Sequence, residues 1–511
     1  MKNRILGFPE RRIYIWLALF SVLLVFLSLT AKDSWTDDGV SHYLKARLSL
    51  SNTHILIDPW AKPIFNLLYL IPSQFGQLFA RLETVLLSIL TALFTAFAYK
   101  KAYPESDDYD VIVFFIFAQP VFFSIAYDTY TEITAAFILS LFLYFYYSHK
   151  DIIAALIASL LPLTRFEGIF LVIAIMLIYA IKRKFFIIIF LLAGLLVWNF
   201  AGFILTHRIF WLYEAIINWH KEMYYNIVPR MGDPFYWLHQ QLYILGPSIM
   251  ILCLLWMFLI RFSQPNTYKN MPFFLLSVFF ISEIAITVSG KGGSGNHPRF
   301  FAFVSPLYAY IAMKAFDVFK EGEEGRTRFA IIGFMFIILA IRLICGWPHP
   351  VWKSWDGNKI LIFGIVITIL GGVFLRKPSR FFLNMILAFL IVYSLYFNLF
   401  RGSRPGIRQK TVLKAYIYWK EVLNEKKPVY AYHPKFYQYA ENDIDIGKDI
   451  RHLDLSTLNN SEKGSIIIWD SWYCPRFNAR VEKSFLDSAQ NLKLLREFKE
   501  PSLEIRIMEK Q

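Results

Sequence analysis

The chain of 511 residues has little charge and little cysteine. Charged residues make up 18% of it and hydrophobic residues 56%, a balance that excludes an ordinary soluble domain. Three cysteines are too few for a disulfide framework. The net charge of +15 does not indicate a nucleic-acid partner, because no stretch interleaves basic and aromatic residues as such a surface does. With a soluble domain, a disulfide framework and a nucleic-acid surface excluded, the composition indicates a membrane protein.

Long apolar runs are what the sequence has instead. Several are long enough to cross ~30 Å of hydrocarbon as helices, among them residues 13–29, 86–99, 242–260, 360–375 and 381–399. Others, such as 111–126 and 152–161, are shorter and must tilt, re-enter or pack inside a bundle. With about 12–13 such segments, the sequence predicts an all-α polytopic membrane bundle.

Basic residues occur in alternate loops of this bundle, around positions 2–12, 100, 150, 182–184, 261–269, 326–328 and 376–380. The positive-inside rule assigns those loops and the N-terminus to the cytoplasmic side of an inner (cytoplasmic) membrane. The complementary loops then face outward, at 31–62, 126–131, 164–168, 206–241, 289–300 and 346–358. The tail beyond residue 400 faces outward as well.

The tail changes character at a Gly- and Pro-containing stretch, residues 401–406. We therefore predict two domains, a transmembrane domain over 1–400 and a small soluble α/β domain over 401–511. Within the latter, helices are expected at 411–424 and 481–495, and strands at 429–433, 465–470 and 503–508. His433 and Asp470 lie at strand ends, where sites often occur, but without a motif they are left out of the predicted site.

Two adjacent carboxylates, Asp37 and Asp38, follow the first span directly. One of them can be explained as a helix cap. The second is harder to dismiss, because ionisable groups near low dielectric are unfavourable unless they are used. Repulsion between neighbouring carboxylates also raises the pKa of one toward a value useful for a general base.

Further charged residues occur in later outward loops. Asp128 and Glu132 flank the start of a helix, which they could simply cap. Arg165 and Glu167 follow a Pro162 break and could form a local ion pair, although Arg165 also suits a phosphate.

His297 and Arg299 follow a glycine-rich stretch, at the depth where lipid phosphates lie. An arginine that extends to the interface is the ordinary alternative. Basic donors beside carboxylates are nevertheless what sugar transfer from a lipid phosphate requires: a base takes the acceptor's proton, and positive charge stabilises the leaving phosphate.

These motifs resemble the GT-C superfamily of polyprenyl-phosphate-sugar-dependent glycosyltransferases, particularly its bacterial protein mannosyltransferase-like and aminoarabinose-transferase-like enzymes. The resemblance rests on Asp37-Asp38, Asp58-Pro59-Trp60-Ala61-Lys62-Pro63, Thr164-Arg165-Phe166-Glu167-Gly168 and His297-Pro298-Arg299-Phe300, and spans about the first two-thirds of the chain. Phe166 replaces the proline of the family's Arg-Pro-Glu-Gly element.

The resemblance implies a base at Asp37 or Asp38 and a second acidic position at Asp128, Glu132 or Glu167. Donor phosphate is then expected near Lys62, Arg165, His297 and Arg299. Some members of the superfamily use a divalent metal, and the sequence leaves that open.

The sequence thus predicts an inverting glycosyltransferase with a polyprenyl-phosphate sugar donor, acting among membrane lipids on a glycan, lipid or protein acceptor. A polysaccharide polymerase or ligase that uses lipid-pyrophosphate glycans is one alternative. A transporter of lipid-linked glycans is another, but it should show paired repeats with broken helices, and no repeat is visible.

Overall fold

The computed structural model describes residues 9–30, 37–226, 236–259, 268–289, 297–321, 407–423, 427–440, 450–475 and 479–511. Through residue 321 the described chain forms helices: α1 Pro9–Thr30, α2 Asp37–Leu48, α3 His54–Ile57, α4 Pro63–Tyr69, α5 Gln77–Ala102, α6 Ile112–Phe117, α7 Pro120–Ile125, α8 Thr131–Tyr147, α9 Asp151–Ala158, α10 Leu161–Thr164, α11 Gly168–Ile181, α12 Phe185–Leu191, α13 Ala193–Thr206, α14 Trp211–Asn226, α15 Tyr236–Leu259, α16 Met271–Ser289 and α17 Ser305–Glu321. Short 3-10 helices cover Pro72–Phe75, Tyr109–Val111 and Pro298–Val304.

The chain is a polytopic helical membrane protein, as predicted. Among the described residues, four helical segments are long and apolar enough to cross a membrane, namely Arg11–Thr30, Gln77–Ala102, Phe185–Thr206 and Met271–Ser289. The predicted spans at 360–375 and 381–399 lie outside the described residues.

The bundle is organised around α8, most of whose residues are buried and which packs along α5. Within residues 111–126 lie the buried helices α6 and α7, separated at Ala118-Gln119. With 17 residues, α8 is about 26 Å long. Its N-terminal end, at Thr131, is called the site end below.

A five-stranded sheet forms the C-terminal domain, in the order β2-β1-β3-β5-β4. Its described elements are α18 Ile407–Tyr418, β1 Val429–Ala431, α19 Pro434–Ala440, β2 Ile450–His452, α20 Leu455–Asn459, β3 Ile466–Asp470, α21 Lys483–Ser488, β4 Leu492–Glu500 and β5 Leu503–Lys510. Strands β1, β2 and β3 run parallel, whereas β5 pairs antiparallel with β3 and β4. The α/β architecture of this domain is confirmed.

One predicted element of this domain is wrong. The helix expected over 481–495 ends at Ser488, and Leu492 begins the strand β4. The residues after Asn491 pair with β5 as an edge strand. Cross-strand pairing thus overrides the local helical pattern.

Candidate active site

The adjacent carboxylates lie in the first turn of α2, at the site end, and have different partners. Asp38 forms an ion pair with Nη2 of Arg299. Asp37 Oδ2 accepts a hydrogen bond of 2.9 Å from the hydroxyl of Tyr473, which belongs to the C-terminal domain. The helix start therefore sits between the bundle and the sheet domain.

The environment of Asp38 sets its protonation state. Burial raises the pKa of this carboxyl, but the charge and hydrogen bond of Arg299, with smaller contributions from His42 and His297, together lower it by more, so the pKa lies below its usual value. This direction is opposite to the rise that repulsion between neighbouring carboxylates predicts. Asp38 is therefore ionised at neutral pH and able to accept a proton.

Arg299 connects Asp38 to a second carboxylate. It lies in the 3-10 helix that begins at Pro298, and its Nε is 3.2 Å from Oε1 of Glu132, which is 1% exposed. The guanidinium carbon is 5.1 Å from the centroid of the Tyr130 ring. One arginine thus joins α2 to the first turn of α8.

Arg165 holds the other side of Glu132. Its Nη1 donates to Glu132 Oε1 at 3.0 Å, while Nε and Nη2 donate to the two oxygens of Glu167 at 3.1 and 2.7 Å. Glu132 therefore lies between two guanidinium groups. The local Arg165–Glu167 pair expected from the sequence exists, and it belongs to a larger network.

Gly168 allows α11 to pack closely against α10 beside the Arg165–Glu167 pair. Arg165 is extended, and α11 begins at Gly168, directly against α10. A Cβ built at Gly168 would lie 2.6 Å from the carbonyl carbon of Leu161, closer than side chains pack. The glycine of the Thr-Arg-Phe-Glu-Gly motif is thus required by close packing of two helices.

Lys62 enters the cluster from the loop before α4, where its φ is +66°. Its side chain is buried: Nζ donates to the Pro59 carbonyl at 2.6 Å and lies 3.5 Å from the centroid of the Phe166 ring. Burial, aided by the charge of Arg165, lowers the Lys62 pKa to about 7. This ammonium is close to titration at neutral pH.

An apolar cavity of about 530 Å³ opens beside this cluster. Phe166 belongs to its wall as well as to the environment of Lys62. Charged groups and an apolar space therefore meet at one ring. The remaining wall residues come from α10, α11, α13 and α14, and they are Pro162, Ile169, Leu195, Trp198, Asn199, Leu212, Tyr213 and Ile216.

Two of the predicted residues have contacts of a different kind: Asp128 pairs with Arg81, and His297 lies at the exposed rim of the site. Asp128 is buried, accepts the amide hydrogen of Thr129 at 2.9 Å and lies 3.7 Å from Nε of Arg81. It does not cap α8, whose N-cap residue is Tyr130. His297 is exposed at the start of the 3-10 helix, and it is close enough to Asp38 to lower the pKa of that carboxyl.

Sequence reasoning missed two residues of this site. His42 lies one turn after Asp38 on α2, and its ring stacks on Trp60 with centroids 4.4 Å apart. Burial lowers the pKa of His42 to about 3 despite the neighbouring Asp38, so the ring is neutral. The i, i+4 spacing from Asp38 was the available signal. For Tyr473, 436 positions from Asp37, no local signal existed.

Among the residues that the structure describes, no three His, Cys, Asp or Glu side chains are grouped as metal ligands. The divalent metal that the sequence leaves open therefore has no candidate ligand set within those ranges.

Comparison with known proteins identifies the fold. No family model matches the chain, and no curated protein matches its sequence significantly. Two solved structures match it: ArnT from Cupriavidus metallidurans bound to undecaprenyl phosphate (14% identity, 97% of each chain covered, TM-score 0.60) and the same protein in its apo state (12% identity, 97% of this chain and 98% of that chain covered, TM-score 0.58). Across nearly its whole length, this chain therefore has an ArnT-like polytopic membrane fold, in line with the fold that the sequence resemblance predicts.

Proposed function

We propose that this protein is an inverting glycosyltransferase that moves a sugar from a polyprenyl-phosphate donor to an acceptor hydroxyl at the outer face of the cytoplasmic membrane. The observation that carries the proposal is the position of Phe166 between the Lys62 ammonium and the apolar cavity. A polyprenyl phosphate needs this combination, an anion site beside an apolar space. The similar fold of ArnT bound to undecaprenyl phosphate supports the choice of lipid.

Lys62, Arg165 and Arg299 are the proposed phosphate ligands, with His297 at the exposed rim. As the sugar–phosphate bond breaks, negative charge grows on the phosphate, and fixed cations at low dielectric stabilise it. Arg299 is the cation that joins Asp38 to Glu132. A phosphate oxygen that takes over one of these carboxylate contacts would be held at the site end of α8.

Asp38 is the proposed base, with Asp37 positioned beside it. When Arg299 turns to the phosphate, the charge that lowers the Asp38 pKa is partly withdrawn, and the carboxylate becomes a stronger base. Asp38 then takes the proton of the acceptor hydroxyl. The acceptor oxygen bonds to the anomeric carbon from the face opposite the phosphate, which leaves with the bonding electron pair. Configuration at that carbon inverts.

The test uses purified full-length protein in nanodiscs, a panel of polyprenyl-phosphate sugars with a mixed acceptor extract, and release of free polyprenyl phosphate as the readout. Asp38→Asn is expected to lower turnover at least about 100-fold, the usual contribution of a general base. The amide still accepts a hydrogen bond from Arg299, so folding should persist. Asp37→Asn is the matched control. Its turnover should stay within about tenfold of wild type, because the amide oxygen can still accept the hydrogen bond from the Tyr473 hydroxyl.

The outcomes separate the alternatives. If Asp37→Asn is the inactive variant, the base assignment reverses. If neither substitution affects release, the carboxylates are structural. If no donor in the panel gives free polyprenyl phosphate, a lipid-pyrophosphate polymerase or a transporter replaces the transferase.

A further inference from the structure

Four aromatic rings meet at the carboxyl end of the parallel strands in the C-terminal domain. We call them the ring platform: Tyr432 and His433 after β1, His452 at the end of β2, and Tyr473 after β3. The Tyr432 centroid is 4.5 Å from that of His452 and 6.3 Å from that of Tyr473, and the His433 and Tyr473 centroids are 4.9 Å apart. This edge of a parallel sheet is where ligands commonly bind.

The ring platform is partly open to solvent. Tyr432 and Tyr473 are half-buried and His452 is exposed, whereas His433 is buried beneath them. The surface therefore presents partly open aromatic ring faces, which can pack against the apolar C–H groups of a ligand.

The turn that carries Tyr473 is rigidly held. Asp470 Oδ1 accepts the amide hydrogens of Trp472 and Tyr473 at 2.9 and 2.6 Å, which fixes the chain as it leaves the buried strand β3. The Cys474 carbonyl accepts the Val481 amide at 2.7 Å on the far side of the turn. Asp470, noted in the sequence at a strand end, thus shapes the ring platform.

The ring platform is also fixed beside the carboxylate pair of α2. The Tyr473 hydroxyl donates to Asp37, the residue adjacent to the proposed base. A second contact, from Gln438 on α19 to Gln77 at the start of α5, joins the C-terminal domain to the bundle. A molecule resting on the platform therefore lies next to Asp38.

We propose that the ring platform is the acceptor subsite and that it binds a sugar ring of the acceptor by stacking. This inference rests on the proposed function, since it assigns the substrate whose hydroxyl Asp38 would deprotonate. A pyranose has one face of C–H groups that packs on an aromatic ring, while its hydroxyl groups remain at the edge, free to reach the base. The donor fits elsewhere, because its lipid needs the cavity beside Phe166 and its phosphate needs Lys62, Arg165 and Arg299.

The test measures binding without any reaction. Saturation-transfer difference NMR on the full-length protein in nanodiscs would use a panel of methyl glycosides of glucose, galactose, mannose and N-acetylglucosamine. At least one should receive saturation, strongest at the C–H protons of one ring face. Tyr432→Leu, which removes a ring face, should weaken the affinity for that glycoside about tenfold. Tyr432→Phe and Tyr473→Phe, which keep the ring, should bind it within about twofold of the wild-type affinity.

Tyr418→Leu is the matched control. Tyr418 is a half-buried tyrosine of the same domain, packed on Phe498 of β4, at the sheet edge opposite β2. Its replacement should leave glycoside binding unchanged. Absence of transfer to every glycoside, or equal binding by wild type and Tyr432→Leu, would overturn the proposal, as would an equal loss in Tyr418→Leu. The NMR assay contains no donor, so its result is independent of the turnover assay. Glycoside binding by NMR, together with no polyprenyl-phosphate release in the turnover assay, would refute the proposed function and leave the subsite standing.

Discussion

At the residue scale, the proposed phosphate ligand Lys62 should make donor binding depend on pH. Its pKa of about 7 in the empty site means that the side chain is largely neutral above pH 7. A phosphate in contact favours the ammonium and raises that pKa, so binding above pH 7 takes up a proton and affinity falls about tenfold for each further pH unit. Calorimetry with undecaprenyl phosphate at pH 8, in two buffers of different ionisation enthalpy, measures this uptake.

Lys62→Arg provides the comparison, since arginine keeps its charge throughout this range. The variant should bind the lipid phosphate without proton uptake and with little dependence on pH between 7 and 9. Identical pH profiles for lysine and arginine would show that Lys62 does not bind the phosphate.

Sequence reasoning selected most of the charged residues that the structure brings together, because a charge beside a membrane span is unfavourable without a partner or a use. That argument finds Asp38, Glu132, Arg165 and Arg299 one by one. It does not assign partners, which depend on how distant loops converge. The pairing of Asp128 with Arg81 rather than with a helix end is such a case.

At the scale of elements, the contact between α10 and α11 sets the position of the Arg165–Glu167 segment. Gly168→Ala would place a methyl group 2.6 Å from the Leu161 backbone, so the two helices must separate. We expect destabilisation of about 1–3 kcal/mol and loss of donor binding, measured by thermal melting in nanodiscs and by lipid-phosphate titration. Ile173→Ala is the control, because Ile173 is an exposed residue of the same helix outside the cavity wall. It should leave both melting and lipid-phosphate binding close to wild type.

Helices and strands could be predicted from the sequence where the residue pattern of a single element is enough to identify it. The apolar runs gave the long helices, and the buried strand β3 followed from its unbroken run Ile466-Ile467-Ile468. The predicted helix over 481–495 runs into the first residues of the edge strand β4, because the strand state of those residues depends on pairing with β5, which the local sequence does not encode.

At the scale of the whole molecule, the contacts group distant parts of the chain at the two ends of α8, which supports the predicted topology. Asp38, Arg299 and Tyr473 meet at the site end, whereas the Lys184–Asp151 ion pair lies beyond the opposite ends of α8 and α11. In a cysteine-free background, His297→Cys and Lys463→Cys should react with a membrane-impermeant maleimide in intact cells. Lys184→Cys should react only after lysis, because it faces the cytoplasm by the positive-inside rule. Labelling of 184 in intact cells, with 297 protected, would invert the topology.

The predicted boundary at residue 400 separates the last predicted span from the sheet domain. The described helices of the bundle end at Glu321 and α18 begins at Ile407, so the boundary itself lies outside the described residues and stays a prediction. The membrane class, the helical bundle and the C-terminal α/β domain could all be predicted from composition and periodicity. Burial of a helix in lipid, or of a strand in a sheet core, requires apolar residues in a recognisable pattern.

The network around Glu132 has a consequence for turnover. Arg165 and Arg299 already have carboxylate partners in Glu132, Glu167 and Asp38, so an arriving phosphate competes with groups that never diffuse away. Tethered competitors act at a high effective concentration. In the proposed reaction they weaken the hold on the spent lipid phosphate as well as on the donor, so the carboxylates that assemble the site also speed release of the product.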